Sequence, residues 1–236
     1  MDFPQLLSLI TEQAQSKTET FVRASENIQR AISQLDEESM LNILYNIGSI
    51  PESLPHDSTE EKLFAKAADI ILAEAFNRLG FQAETYRERA NCADVCGISV
   101  TEGYSFVADA KTFRMSRTAK NQKDFKVKAL SEWRRNSDYA ILVVPYFQYP
   151  RSQSQVYQQA IDSNVCLLSW EHLTFMLKNH ISETSKMRLK AIWNISDTLS
   201  TLIVHANLRQ RENFIHANRS IFCETIGLSW DSWLHI

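Results

Sequence analysis

Between Tyr139 and Pro145 the chain reads Tyr-Ala-Ile-Leu-Val-Val-Pro, an apolar run without a charge and without the polar–apolar alternation of a half-exposed strand. A strand of this composition has to be covered on both faces, so it belongs inside a sheet with helices packed against it. The flanking patterns supply that cover. Ser58 is a suitable N-cap with Glu61 three residues on to complete a capping box. From there Leu63, Phe64, Ala67, Ala68, Ile71, Leu72, Ala75, Phe76 and Leu79 recur at helical spacing until Gly80. Strand-like segments follow near 82–87, 94–100 and 104–111, the last two joined by Thr101-Glu102-Gly103 as a tight hairpin. A basic helix over 118–135 precedes the apolar run. A helix at 152–162, a strand at 165–170 and a helix at 171–179 come after it. This order predicts an α/β fold, an α+β mixed sheet flanked by helices.

The first third reads as three amphipathic helices, near 3–14, 18–34 and from Asp36 to Gly48, closed by the Pro-punctuated loop Ile50-Pro51-Glu52-Ser53-Leu54-Pro55-His56-Asp57. The expected organisation is an N-terminal helical subdomain over 1–57, a catalytic core over 58–180 and a C-terminal helical extension over 181–236. With 236 residues, 44% of them hydrophobic, the chain can bury one good core but hardly two. The N-terminus opens with Asp2, has no basic cluster before Leu6 and is nowhere apolar for long. It does not read as a signal peptide or membrane span, so a cytoplasmic protein that makes no membrane contact is expected. Cys92, Cys96, Cys166 and Cys223 are too scattered for a disulfide framework and lack partners at zinc-ligand spacing, and read as buried, reduced structural thiols.

The net charge of −3 conceals a strong polarity. Residues 1–60 carry Lys17, Arg23 and Arg30 against ten carboxylates, a net −7, whereas residues 111–135 carry nine Lys or Arg against Asp124 and Glu132, a net +7. A block of this kind suits a nucleic-acid backbone, although a charge run by itself is more often a solvated face.

In the third strand Val107, Asp109 and Lys111 share one face, so an acid and a base two residues apart point the same way. The hairpin folds Asp94, at the start of the preceding strand, back beside Asp109. Two carboxylates with a lysine form a Mg²⁺ site beside a fixed cation, because Mg²⁺ needs only one or two protein carboxylates and keeps waters and phosphate oxygens for the rest. Glu61, projected at 100° per residue, falls on the stripe of Ala65, Ala68, Leu72 and Leu79 and so faces the sheet. It reads equally well as a third ligand or water positioner and as a plain helix cap. In the basic helix Phe125, Ala129 and Trp133 mark the buried stripe, and Gln122 and Lys126 lie on it within reach of a scissile phosphate. A lysine with a buried stem and a solvated amine is the competing reading.

Asp94, fourteen intervening residues and then Asp109-Ala110-Lys111 have the form of the PD-(D/E)xK nuclease signature. Longer stretches narrow the match: Ser58-Thr59-Glu60-Glu61-Lys62-Leu63-Phe64, Val107-Ala108-Asp109-Ala110-Lys111, Ser116-Arg117-Thr118-Ala119-Lys120-Asn121-Gln122-Lys123-Asp124-Phe125-Lys126, Phe147-Gln148-Tyr149-Pro150 and Leu168-Ser169-Trp170-Glu171-His172-Leu173. Together they resemble the HindIII restriction endonucleases, densely from about residue 45 to residue 175.

The resemblance implies a restriction-endonuclease-like core and a type II site-specific deoxyribonuclease. Such an enzyme is a homodimer on double-stranded DNA, cuts the palindrome AAGCTT after the first A with Mg²⁺, and has a cognate DNA methyltransferase in its host. Asp94, Asp109 and Lys111 carry over as the catalytic trio, with Glu61 as a further candidate, and Asp94, Asp109 and Ala110 form the metal set. By charge and position Arg114, Arg117, Lys120, Asn121 and Lys123 are the expected DNA contacts, together with Gln122 and Lys126. The sequence departs from the pattern at Ala93, where the signature has proline, and in an extension that stops sooner than the family's. Two alternatives stand beside this reading: another nuclease of the same superfamily, for repair or junction resolution, and an inactive DNA-binding remnant.

Overall fold

The structure is a computed structural model that describes residues 1–16, 18, 20–86, 92–116, 122–151, 154–202, 211–229 and 231. Three helices open the chain, α1 (Phe3–Gln15), α2 (Phe21–Ile32) and α3 (Glu37–Ile47). Each begins where a short polar side chain caps the first turn: Asp2 accepts from Gln5 N, Thr20 from Arg23 N and Asp36 from Ser39 N. After a two-residue strand, β1 (Ser49–Ile50), Ser58 caps α4 (Thr59–Arg78). The helix stops at Gly80, whose φ of +91° is a conformation that glycine adopts without cost.

The main sheet has five strands in the order β2 (Phe81–Thr85), β3 (Val95–Ser99), β4 (Ser105–Ala110), β6 (Tyr139–Val144) and β7 (Val165–Ser169). The first three run antiparallel, and β4, β6 and β7 are parallel. The apolar run is the interior strand β6, fully buried from Ala140 to Val144 as its composition requires. β5 (Phe113–Arg114) pairs with β1 in a separate parallel ribbon that the sequence did not suggest.

Between β4 and β7 lie α5 (Gln122–Phe125), α6 (Val127–Trp133), a 3-10 turn over Tyr146–Gln148 and α7 (Gln155–Asp162). After β7 come α8 (Trp170–Lys178), α9 (Lys190–Trp193), α10 (Ile195–Leu202) and α11 (Arg211–Ile226). α4 covers β2, β3 and β4, α6 lies on β4, β6 and β7, and the N-terminal helices rest on α4 and α8. The buried apolar side chains form one cluster from Leu6 to Ile226.

The predicted basic helix is not continuous. Lys126 has φ +50° and ψ +31° and divides α5 from α6. The cause is packing: Phe125, Val127 and Leu130 are all buried, yet residues two apart on one helix point in different directions. The left-handed residue turns the chain so that Phe125 stacks on Tyr149, at 5.9 Å between centroids, while α6 still buries Val127 and Leu130. Lys126 is consequently exposed, with its ammonium 5.7 Å from the Trp133 ring, and is not on a buried stripe as expected.

Phe106 centres an aromatic group with Phe76 (4.6 Å), Phe81 (5.2 Å) and Trp193 (6.3 Å). Gly97, opposite it in register on β3, leaves the space its ring occupies, and a Cβ there would collide with Phe106. Gly97→Ala is therefore expected to destabilise the fold by about 2 kcal/mol through overpacking, read by urea unfolding. An unchanged midpoint would contradict the packing described.

Candidate active site

β4 delivers Asp109 to the sheet interior, where only 2% of it is exposed, and Lys111 follows just past the strand end. The Lys111 backbone is fixed from two sides. Its N–H donates to Val143 O of β6 at 2.8 Å, and its carbonyl accepts from Trp170 Nε1 at 3.0 Å. Asp94 stands one residue before β3. Its N–H donates to Ala108 O at 3.1 Å, and its carbonyl accepts from Tyr86 N at 2.9 Å. Its carboxylate Oδ2 accepts from Ala110 N at 3.0 Å, which folds the side chain over the end of β4. The Asp94 carboxyl is thereby brought near enough to Asp109 for their charges to interact, and the Lys111 ammonium forms an ion pair with Asp109 Oδ2.

The electrostatics follow from this crowding. Burial, then the nearby Asp109 and Asp69 charges, push the Asp94 carboxyl up to about 8. Burial alone would lower the Lys111 ammonium, but the surrounding carboxylates, Asp109 foremost, outweigh it and the net shift is upward. Asp69, from the middle of α4, is the group that sequence reasoning missed. Burial raises it to about 7 against the pull of Lys66, and it senses both Asp109 and Lys111. A signal for it existed, since Asp69 is the one charge in the apolar stretch Ala67-Ala68-Asp69-Ile70-Ile71-Leu72.

Of these groups, Asp69 and Asp94 border a cleft of about 430 Å³, lined also by Lys62 and Lys66 of α4 and by Tyr86 and Cys92. The residues fit a hard divalent cation. Asp109 Oδ2 is buried with no hydrogen bond apart from its contact with Lys111, and the mutual repulsion of the acids is what such a cation relieves. Among the described residues no three His, Cys, Asp or Glu side chains are grouped to hold an ion by themselves. An ion here would have two carboxylates at hand and would complete its shell from main-chain, water or phosphate oxygens.

The sequence model of the HindIII restriction endonuclease family matches residues 6–226. The chain belongs to that family. It is 45% identical over 190 residues to the Type II restriction enzyme HindIII of Haemophilus influenzae, an alignment covering 80% of this chain and 62% of that relative. The chain thus spans about three fifths of the length of the curated relative it matches. Within the family frame, the five-stranded mixed sheet flanked by helices is a restriction-endonuclease-like fold. No helix among the described residues is long and apolar enough to cross a membrane.

Arg114 and Glu61, both candidates for this site, are engaged elsewhere in the structure. Arg114, expected at the DNA, is 3% exposed, and its guanidinium is bonded throughout to protein. It donates to Pro51 O (3.1 Å), Leu54 O (2.7 Å) and Glu61 Oε1 (2.8 Å). The small ribbon of β1 and β5 explains this, because it draws Arg114 beneath the loop before α4. Glu61 is Arg114's partner and not a residue facing the sheet. Its second oxygen accepts from Asp57 N at 2.7 Å, so the capping box closes one residue early, and Ala65 on the same stripe is exposed. Burial would raise Glu61, but the Asp57 N–H and Arg114 lower it overall. Of the other expected DNA contacts, Arg117, Lys120 and Asn121 lie outside the described residues, as do the side chains of Gln122 and Lys123. Cys166 is buried as expected, whereas Cys92, Cys96 and Cys223 are half-buried, and no cysteine among the described residues is in a disulfide.

Two outcomes test this geometry. A carboxyl raised to about 8 from 3.8 penalises the fold once the unfolded chain can ionise. That penalty is absent below about pH 4 and grows until the folded group itself ionises near pH 8. In EDTA, Asp94→Asn should therefore be more stable than the wild type at pH 8, with the gap narrowing steadily toward pH 4; a constant difference in urea titrations across that range counts against the crowding. Arg114→Ala should lose about 3 kcal/mol of stability by removing half of a buried pair and two loop anchors. If it weakens DNA binding without a stability loss, the assignment of Arg114 as a loop clamp fails.

Proposed function

We propose that this chain is a type II restriction endonuclease that hydrolyses both strands of double-stranded DNA at AAGCTT, after the first A, with Mg²⁺. The observation that carries the reading is the convergence of Asp94, Asp109 and Lys111 at one end of β4, in a chain whose sequence matches the HindIII family from residue 6 to 226. The metal would be held by the Asp94 and Asp109 carboxylates and the Ala110 carbonyl, the Ala110 N–H being already engaged with Asp94. When bound, Mg²⁺ supplies a lowered pKa for the attacking water and neutralises charge on the leaving oxygen.

The chain's own groups account for the remaining requirements. Lys111, anchored by β6 and Trp170, holds its ammonium beside Asp109, where a non-bridging phosphate oxygen becomes more negative in the transition state. The role of a further acidic group, for which Glu61 is one of two equal readings in the sequence, goes to Asp69, which faces the same cleft and provides an acceptor for the water's proton. A palindromic site calls for a two-fold arrangement, so the working form is a homodimer, and a host carrying this enzyme needs a methyltransferase that protects the same sequence. The site of action is the cytoplasm, where the DNA lies.

Digestion of plasmid or phage DNA with Mg²⁺ followed by sequencing of the ends tests the proposal. Discrete fragments with 5′ overhangs beginning within AAGCTT are expected. Unfragmented DNA points to a binding remnant, and ends without a shared sequence point to a structure-directed nuclease. Lys111→Ala and Asp109→Asn should each lower the single-turnover rate by roughly 10² or more, because stabilisation of developing charge is the largest catalytic contribution; wild-type rates would remove them from the mechanism.

A further inference from the structure

The cleft before Asp69 and Asp94 is not lined by acids alone. Lys62 and Lys66 are one turn apart on α4 and both face it, with Asp69 less than a turn further on. Packing does not require them there. α4 is buried on most of its circumference, yet Lys62 is exposed, Lys66 is partly so, and both line the cleft. Lys66 Nζ lies 3.5 Å from Asp69 Oδ2, a partly exposed helix pair of the kind that adds little stability. Lys62 is exposed and among the described residues has no ion pair. Two cations thus border the same opening as carboxylates that, by themselves, would repel a nucleic-acid strand.

We propose that Lys62 and Lys66 seat a backbone phosphate of the DNA strand that enters the cleft along α4, next to the phosphate that is cut. This rests on the nuclease reading and adds α4 to the DNA-binding surface, which the sequence placed wholly between Arg114 and Lys126. The chemistry suits the task. An ammonium on a flexible stem is a point charge without base preference, so it contributes affinity and register but not specificity. Its three donors allow Lys66 to keep Asp69 and donate to a phosphate oxygen at the same time, and the Asp69 contact keeps the ammonium beside the opening. With Lys62 a turn away, the phosphate meets two positive charges before it meets the acids.

The test is the salt dependence of binding to an AAGCTT duplex in EDTA, where no strand is cut, read by fluorescence anisotropy. Each phosphate neutralised contributes about 0.9 to the slope of log K against log salt, so Lys62→Ala/Lys66→Ala, which leaves the one phosphate without a cation, should reduce that slope by about 0.9 and weaken binding roughly tenfold near 0.1 M salt. Lys62→Arg/Lys66→Arg should keep the wild-type slope, and Lys190→Ala, which removes a lysine paired with Glu102, should leave it unchanged. A wild-type slope in the double alanine variant overturns the proposal while the nuclease reading stands, as does equal loss in the alanine and arginine variants. Failure of the wild type to bind the duplex at all overturns both.

Discussion

A single hydrogen bond, from Ala110 N to Asp94 Oδ2, converts two separate strands into one site. Asp94 precedes β3 and Asp109 lies near the end of β4, and the antiparallel pairing brings only their backbones together. The Ala110 bond turns the Asp94 carboxylate across the strand end, against Asp109 and Lys111. It places an acid where burial and like charge both oppose ionisation, so the arrangement is costly unless a cation shares it. The surrounding fold is built to hold that position: β6 and Trp170 immobilise Lys111 from behind, and Tyr86 and Ala108 hold the Asp94 backbone on either side.

The interior strand makes this rigidity available. β6 is covered on both faces and pairs with β4 on one edge and β7 on the other, so the segment carrying Asp109 and Lys111 cannot shift without breaking the central ladder. At the front, α4 contributes Asp69 together with Lys62 and Lys66. Function and stability oppose each other here, since the repelling carboxylates destabilise the metal-free fold while the apolar cluster around them offsets the cost.

Much of this was legible in the sequence, for reasons that can be named. The apolar run 139–145 announced a covered strand, the Ser58 cap and Gly80 stop bounded α4, and alternation put Asp109 and Lys111 on one face. The failures share a cause, which is long-range packing that no local period encodes. The ribbon of β1 and β5 took Arg114 and Glu61 out of the site and into the loop beneath it. The demand that Phe125 and Val127 both enter the core broke the basic helix at Lys126. Asp69 lies on another face of α4 from the Glu61 stripe, whose Ala68, Leu72 and Leu79 are buried, so that stripe does not lead to it.

The central claim is that Asp94 and Asp109 jointly receive one divalent cation. Calorimetric titration of the metal-free protein with Mg²⁺ at pH 7, in buffers of different ionisation enthalpy, tests it most directly. Because Asp94 is held up to about 8, binding should release on the order of one proton per ion, and Asp94→Asn should abolish both the release and most of the affinity. Binding of equal strength to wild type and variant, with no proton released, would contradict the account.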